Sequence, residues 1–152
     1  MKIAVNTRLL IKNEMDGIGL FTHETFKEIV RDHPEIEFLF IFDRAPHADF
    51  VFADNITPVV LKPKARHPLL YKVWYQVALK RTLRKHQPDI FVGTDGMIPL
   101  KTNTKTLAVI HDLNFVHYPD HLPTTYSNYY QKFFPKFAKA ATRIATVSAH
   151  ST

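Results

Sequence analysis

Apolar residues along this chain gather in short, dense runs separated by polar and proline-bearing stretches. Residues 2–5, with Ile3, Ala4 and Val5 consecutive, predict a buried strand almost at the first residue. A loop follows to about Gly17, and Gly17-Ile18-Gly19 opens a helix to about Arg31. Leu20, Phe21, Phe26, Ile29 and Val30 give this helix a broad apolar stripe, and His33-Pro34 stops it. Residues 37–42 are aromatic and β-branched and predict a second strand, with 43–54 irregular. Residues 56–61 predict a third, and Pro58 inside it favours an edge position or a late start. Pro68 stands where a helix begins, and Leu69, Leu70, Val73, Trp74, Val77 and Leu83 follow at helical spacing, with Trp74 and Val77 expected to face the sheet. Residues 89–92 predict a fourth strand, 107–110 a fifth and 143–147 a last one. Residues 124–141 read as helical, with Pro135 expected to break or restart the helix.

Strands alternating with helices throughout imply an α/β fold, a Rossmann-like parallel sheet with helices on both faces. Residues 148–152 have the look of a strand end followed by a helix N-cap whose helix is missing. The expectation is a single domain over residues 1–152 that is truncated from a longer protein.

Composition narrows the class. The chain has 152 residues, 45% apolar and 22% charged, the balance of a soluble globular domain. No apolar run approaches the ~20 residues of a membrane span, and Asn6 and Arg8 interrupt any signal-peptide pattern. Cysteine is absent, which excludes disulfides, thiolate metal sites and a cysteine nucleophile within these residues. A cytoplasmic setting is the default expectation. The net charge of +6 is local: residues 62–86 hold eight Lys or Arg and no acid, so the remaining 12 bases face all 14 acids. Lys72, Gln76, Lys80 and Arg84 follow an i, i+4 row, with Arg81 and Lys85 alongside. A solvated helix face is the plain explanation. An anionic membrane surface met by Lys72, Lys80, Arg81, Arg84 and Lys85 is the functional one, since each such residue near an anionic leaflet adds ~1 kcal/mol.

The chemistry-bearing residues cluster at predicted strand ends. His111 and Asp112 close the fifth strand, and in open α/β sheets ligands bind outside the carboxyl ends of the strands. His111 suits acid–base work or hydrogen bonding to a substrate hydroxyl; the plain alternative is that Asp112 makes a local turn and His111 fills space. All four glycines lie in two loops after strands: Gly17 and Gly19, and Gly93 and Gly96 flanking Asp95. Helix N-terminal amides bind anions, phosphate above all, so Gly17, Ile18 and Gly19 are the expected phosphate site. Gly93 and Gly96 read as turn glycines. A dinucleotide fingerprint is not met, because Thr22 takes the place of its third glycine and the loop of about eleven residues is too long; a Gly-Lys-Ser/Thr phosphate loop is missing altogether. A metal reading of His111, Asp112, His117, Asp120 and His121 ranks second for want of strict ligand spacing, and no metal is expected. Of Tyr126, Tyr129, Tyr130, Phe133, Phe134 and Phe137, most should pack the core and one or two line an acceptor groove.

Gly17-Ile-Gly19 at the first helix, Val109-Ile-His-Asp-Leu113 ending a central strand, and Thr146-Val-Ser-Ala-His-Ser151 near the terminus resemble the N-terminal half of family 4 retaining glycosyltransferases. Asn6-Thr-Arg8 resembles their Asp-x-Arg, with Asn in place of Asp. The resemblance implies the two-domain GT-B fold, with this chain as the acceptor-side domain and the nucleotide-sugar domain absent. It implies sugar transfer with retention and without metal or cofactor, the nucleotide-sugar being a substrate and a cell-envelope polysaccharide or glycolipid the acceptor. By the same resemblance Gly17 and Gly19 approach the donor diphosphate, His111 contacts the donor sugar, Asp112 supports that turn, and Arg8, Asp95 and Ser148 edge the cleft. The chain alone is then not expected to catalyse transfer. The competing expectations are a non-catalytic module binding membrane or nucleic acid through residues 62–86, and a metal hydrolase using His111, Asp112 and His117. Nucleic acid is not expected as a partner of the glycosyltransferase.

Overall fold

A computed structural model describes residues 1–147. Six strands form one parallel sheet in the order β3-β2-β1-β4-β5-β6. They are β1 (Lys2–Asn6), β2 (Glu37–Phe42), β3 (Ile56–Val60), β4 (Ile90–Gly93), β5 (Lys105–Ile110) and β6 (Arg143–Thr146). β3, the strand with the proline, is at an edge. The order reverses between β1 and β4, so the carboxyl ends of these two strands flank a crevice of the kind that holds ligands in such sheets.

Side chains of successive strand residues point to opposite faces, and each face has its own core. Ala4, Leu39, Ile41, Phe91 and Ala108 pack under Tyr71, Trp74, Tyr75, Leu79 and Leu83, with Tyr129 and Phe137 of α5 (Thr124–Ala140). Val5, Phe38, Phe40, Val92 and Val109 pack under Phe26 and Val30 of α1 (Gly17–Asp32). Each large apolar side chain so buried contributes about 1.5–3 kcal/mol of transfer free energy.

Four expectations need correction. First, strands do not alternate with helices throughout. Only a short 3-10 turn at Ala48–Phe50 interrupts the β2–β3 connection, and no helix lies between β4 and β5. The latter crossover is instead a packed loop: Met97 and Ile98 are buried, and Gln76 donates to the Ile98 carbonyl at 3.2 Å and accepts from the Leu100 N–H at 2.8 Å. The side-chain amide thus supplies backbone partners that a helix would have provided internally.

Second, the helical stretch after Pro68 is not regular. α2 (Pro68–Val73) passes into a π-helical segment (Trp74–Leu79) and then α3 (Lys80–His86). Tyr71, Tyr75, Leu79 and Leu83 are all buried at four-residue intervals. In an ideal α-helix such a stripe drifts by roughly 40° per step, and the wider π turn absorbs part of that drift. Trp74 is buried as expected, but Val77 is turned outward, 49% exposed.

Third, the same turn breaks the basic row. Gln76 faces inward to the loop, Lys72 lies 6.0 Å from the Phe133 ring, and Lys80 and Arg84 border a separate cleft. Fourth, Pro135 does not break α5, which runs unbroken through it. Pro135 is on the exposed side, while Tyr129 before it and Phe137 after it are anchored in the core, and that packing outweighs the ~3 kcal/mol that an interior proline costs.

Candidate functional site

The carboxyl ends of β1 and β4 are tied together first. The Thr94 hydroxyl donates to the Asn6 carbonyl at 2.7 Å, and beneath this link is a buried polar cluster from distant parts of the chain. Arg8, only 7% exposed, donates through Nη2 to Asp95 Oδ2 at 2.9 Å, through Nε to the Tyr75 hydroxyl at 3.0 Å and through Nη1 to the Ala65 carbonyl at 3.3 Å. The Tyr75 hydroxyl donates to Asp95 Oδ2 at 2.6 Å and accepts from Asn6 Nδ2 at 2.7 Å. Asn6 Nδ2 also lies 3.2 Å from Asp95 Oδ2, and Asp95 Oδ1 accepts the Met97 N–H at 3.0 Å. The Arg8 guanidinium is stacked 4.9 Å from the Tyr71 ring centroid.

These contacts fix the protonation states. Burial pulls the Arg8 pKa down, and Tyr75 and Asp95 more than restore it, so the guanidinium stays charged. Burial, then Asp95, raises Tyr75 well above an ordinary phenol against the opposing pull of Arg8, so its hydroxyl stays a donor. The cluster is a neutralised pair with its polar atoms satisfied, which is the condition for burying charge at all.

His111 stands beside it at the end of β5. Its Nε2 lies 2.8 Å from the Thr94 carbonyl oxygen, an acceptor, so Nε2 carries the hydrogen. Phe21 of α1 meets the imidazole edge-on at 4.8 Å. The ring is therefore held from β4 and from α1 at once. Asp112 is exposed, and its Oδ1 accepts the Asn114 N–H at 2.9 Å, making the local turn before α4 (Asn114–His117).

A cavity of about 490 Å3 opens over these groups. Arg8, Asp95, His111, Asp112, Asp16 and Ile18 give it a polar side, and Tyr71, Phe115, Tyr118, Tyr130 and Phe134 an aromatic one. Of the aromatic segment in α5, Tyr130 and Phe134 thus line the cavity, whereas Tyr129 and Phe137 are core. Of the residues singled out in the sequence, His111, Asp112 and Ile18, together with the cleft-edge candidates Arg8 and Asp95, come to one cavity, whereas Gly17 and Gly19 are not on its lining. Lys72, Lys80, Arg81, Arg84 and Lys85 do not line it. Ser148 lies outside the described residues. Among the described residues no three of His, Asp and Glu gather as a metal site, His117 and Asp120 being exposed and outside the cavity lining.

The glycines at the α1 start have different jobs. The Gly19 N–H donates to the N-cap carboxylate of Asp16 at 2.8 Å, and a Cβ on Gly19 would meet the Leu9 carbonyl oxygen at 2.6 Å. Gly19 is therefore what lets the loop after β1 lie against the helix. A Cβ on Gly17 would meet nothing within 4 Å. Gly17→Ala should leave folding stability within about 0.5 kcal/mol of the parent, whereas Gly19→Ala should cost about 1–3 kcal/mol by overpacking, both read from urea unfolding.

The residues that sequence spacing did not single out are Tyr71, Tyr75 and Asp16. Tyr75 is 69 positions from Asn6, and the one signal that demanded such a residue is Arg8 itself, a guanidinium next to a buried strand that must find acceptors. Asp16, immediately before the Gly17 helix start, has the N-cap residue type and could have been read as such.

No curated protein matches the chain. A crystal structure of UDP-galactose 4-epimerase is similar over 73% of this chain and 56% of that one, at 12% identity and a TM-score of 0.38. The chain thus spans little more than half the length of that protein. The profile of Glyco_transf_4, Glycosyltransferase Family 4, matches residues 15–151, a stretch that runs from just before the α1 N-cap through Asp95 and His111 and past the last strand. With that match laid over a six-stranded Rossmann-like sheet of the kind found in the N-terminal domain of GT-B enzymes, the chain belongs to Glycosyltransferase Family 4.

Proposed function

We propose that the chain forms the acceptor-side half of the cleft of a retaining glycosyltransferase, which moves a sugar from a nucleotide-sugar to a cell-envelope polysaccharide or glycolipid. The observation that carries this is the cavity where the strand order reverses, with a pinned imidazole beside a neutralised Arg8–Asp95 pair and an aromatic wall opposite. Aromatic faces and fixed hydrogen-bonding groups together suit a hydroxyl-rich ring, whose C–H faces stack while its hydroxyls are oriented.

In this reading His111 contacts the donor sugar near the reacting centre. Asp112 holds the turn that aims it, and Arg8 and Asp95 form the floor. The Gly17 and Ile18 amides, in a first helical turn that leaves N–H groups without intrahelical partners, receive the donor diphosphate. Ser148 belongs to the cleft edge by family resemblance. A second, nucleotide-binding domain completes the active site, so these residues alone do not turn over. The enzyme works at the cytoplasmic face of a membrane. No helix among the described residues is long and apolar enough to cross one; contact runs instead through the exposed Lys72, Arg81 and Lys85, with Leu69, Val73 and Val77 exposed on the same helical stretch.

The test is transfer by the full-length protein, supplied with a panel of nucleotide-sugars and with polysaccharide or glycolipid fractions of its source cell. The expected result is acceptor-dependent release of nucleotide and a product whose anomeric configuration, read by NMR, matches the donor's. An inverted product would remove retention, and no transfer across the panel would remove the assignment.

A further inference from the structure

A second concave surface lies at the opposite end of the sheet from His111. It is a cleft of about 740 Å3 between the end of the 68–86 helical stretch and the entry to β5. Lys80 and Arg84 line it from the helix, Lys101 and Lys105 from the β4–β5 loop and the first residue of β5, with Thr102 and Thr104 between them. Asp89 is the one acid on its wall, and its Oδ2 already accepts the Lys2 N–H at 2.8 Å. None of the four cations is ion-paired among the described residues.

The arrangement gathers like charges on one cleft. Lys80 and Arg84 are like charges at i, i+4, which repel on a helix, and Lys101 and Lys105 add two more from a separate element. Attraction to the negative end of the helix dipole accounts for bases in its last turn, such as Arg84 and Lys85. It does not account for Lys101 or Lys105, which the chain brings there from outside the helix. The hydroxyl groups between them are of the type that donates to phosphate oxygens: Thr102 Oγ1 accepts the Thr104 N–H at 3.2 Å, which leaves its own hydrogen to donate.

We propose that Lys80, Arg84, Lys101 and Lys105 form a binding site for a phosphate-rich anion, a diphosphate or longer oligophosphate group, at the amino-terminal edge of the sheet. Four cations on one cleft match more negative charge than a single phosphate offers. The site is at the edge opposite the His111 cavity, so its occupant is not the donor diphosphate poised for reaction there. The occupant is either a soluble phosphorylated molecule or the phosphorylated headgroup of a lipid.

The experiment is titration of the 152-residue chain with inorganic pyrophosphate at constant ionic strength, followed by amide shifts in NMR. The expected result is saturable binding with shifts confined to the segments around Arg84 and 101–105. Lys101→Glu with Lys105→Glu should weaken it at least tenfold with an unchanged melting temperature, and Lys139→Glu, an exposed charge outside the cleft, should leave it intact. Vesicles with and without a phosphoinositide form a second arm. Phosphoinositide-dependent binding lost in the Lys101/Lys105 variant assigns the site to a lipid headgroup, and pyrophosphate binding without vesicle binding assigns it to a soluble ligand. Shifts spread over lysines across the surface, or pyrophosphate affinity unchanged in the Lys101/Lys105 variant, would overturn the proposal.

Discussion

Arg8→Ala is expected to lower the folding stability of this domain by about 3–5 kcal/mol, the cost of leaving one member of a buried ion pair alone. With Arg8 gone, Asp95 keeps the Tyr75 hydroxyl and the Met97 N–H but loses its countercharge in a site that water reaches poorly. Domains of this size have only about 5–15 kcal/mol in hand, so the change should be visible as a large drop in the urea midpoint. Asp95→Asn should cost a comparable amount, because it strands the guanidinium. The two together should cost less than the sum, since the pair is removed as a unit. A loss below 1 kcal/mol for either single change would mean that the pair is solvated and that this floor is not rigid. Asn6→Asp makes the complementary point. It would set a second carboxylate 3.2 Å from Asp95, so it should destabilise the chain. Asn6 fits here because its amide donates to Asp95 and to Tyr75 while its oxygen accepts the Arg8 N–H at 3.1 Å.

What the sequence made legible is what short-range physics decides. The dense apolar runs of β1, β2 and β5 are local signals, and so is the start of α1 at Gly17 and its end at His33-Pro34. The position of Pro58 favours an edge place for β3, because a proline has no N–H to donate to a neighbouring strand. His111, Asp112 and Asp95 could be placed at the ligand edge because strand direction in a parallel sheet is fixed once the α/β class is known. What escaped has a non-local cause. Whether Val77 faces in or out depends on a π turn, and that turn answers the need to bury Tyr71, Tyr75, Leu79 and Leu83 on one side. The helix-free β4–β5 crossover depends on Gln76 reaching Ile98 and Leu100 from another element. The role of Arg8 was half-visible: its position beside the cleft could be read, but not that Tyr75, Asp95 and the Ala65 carbonyl take its three guanidinium nitrogens and turn a free charge into a structural one.

His111→Ala in the complete enzyme is expected to reduce turnover on the order of 10²–10³-fold, the range found when one preorganised hydrogen-bonding group at a reacting centre is removed. Among the contacts that the same change deletes are the hydrogen bond to the Thr94 carbonyl and the edge contact with Phe21, worth about 1–2 kcal/mol of stability between them. Activity measured well below the melting temperature therefore separates the two effects. His111→Gln sharpens the comparison, because a side-chain amide can still donate to the Thr94 carbonyl while the imidazole is lost. If His111 does chemistry or meets the donor sugar through its ring, Gln should restore stability without restoring turnover. If His111 only braces the β4 turn, Gln should restore both, and a turnover unchanged even in the Ala variant would take His111 out of the mechanism. In that event the Arg8–Asp95 floor and the aromatic wall would remain as a binding surface, and the reacting groups would have to lie outside this cavity.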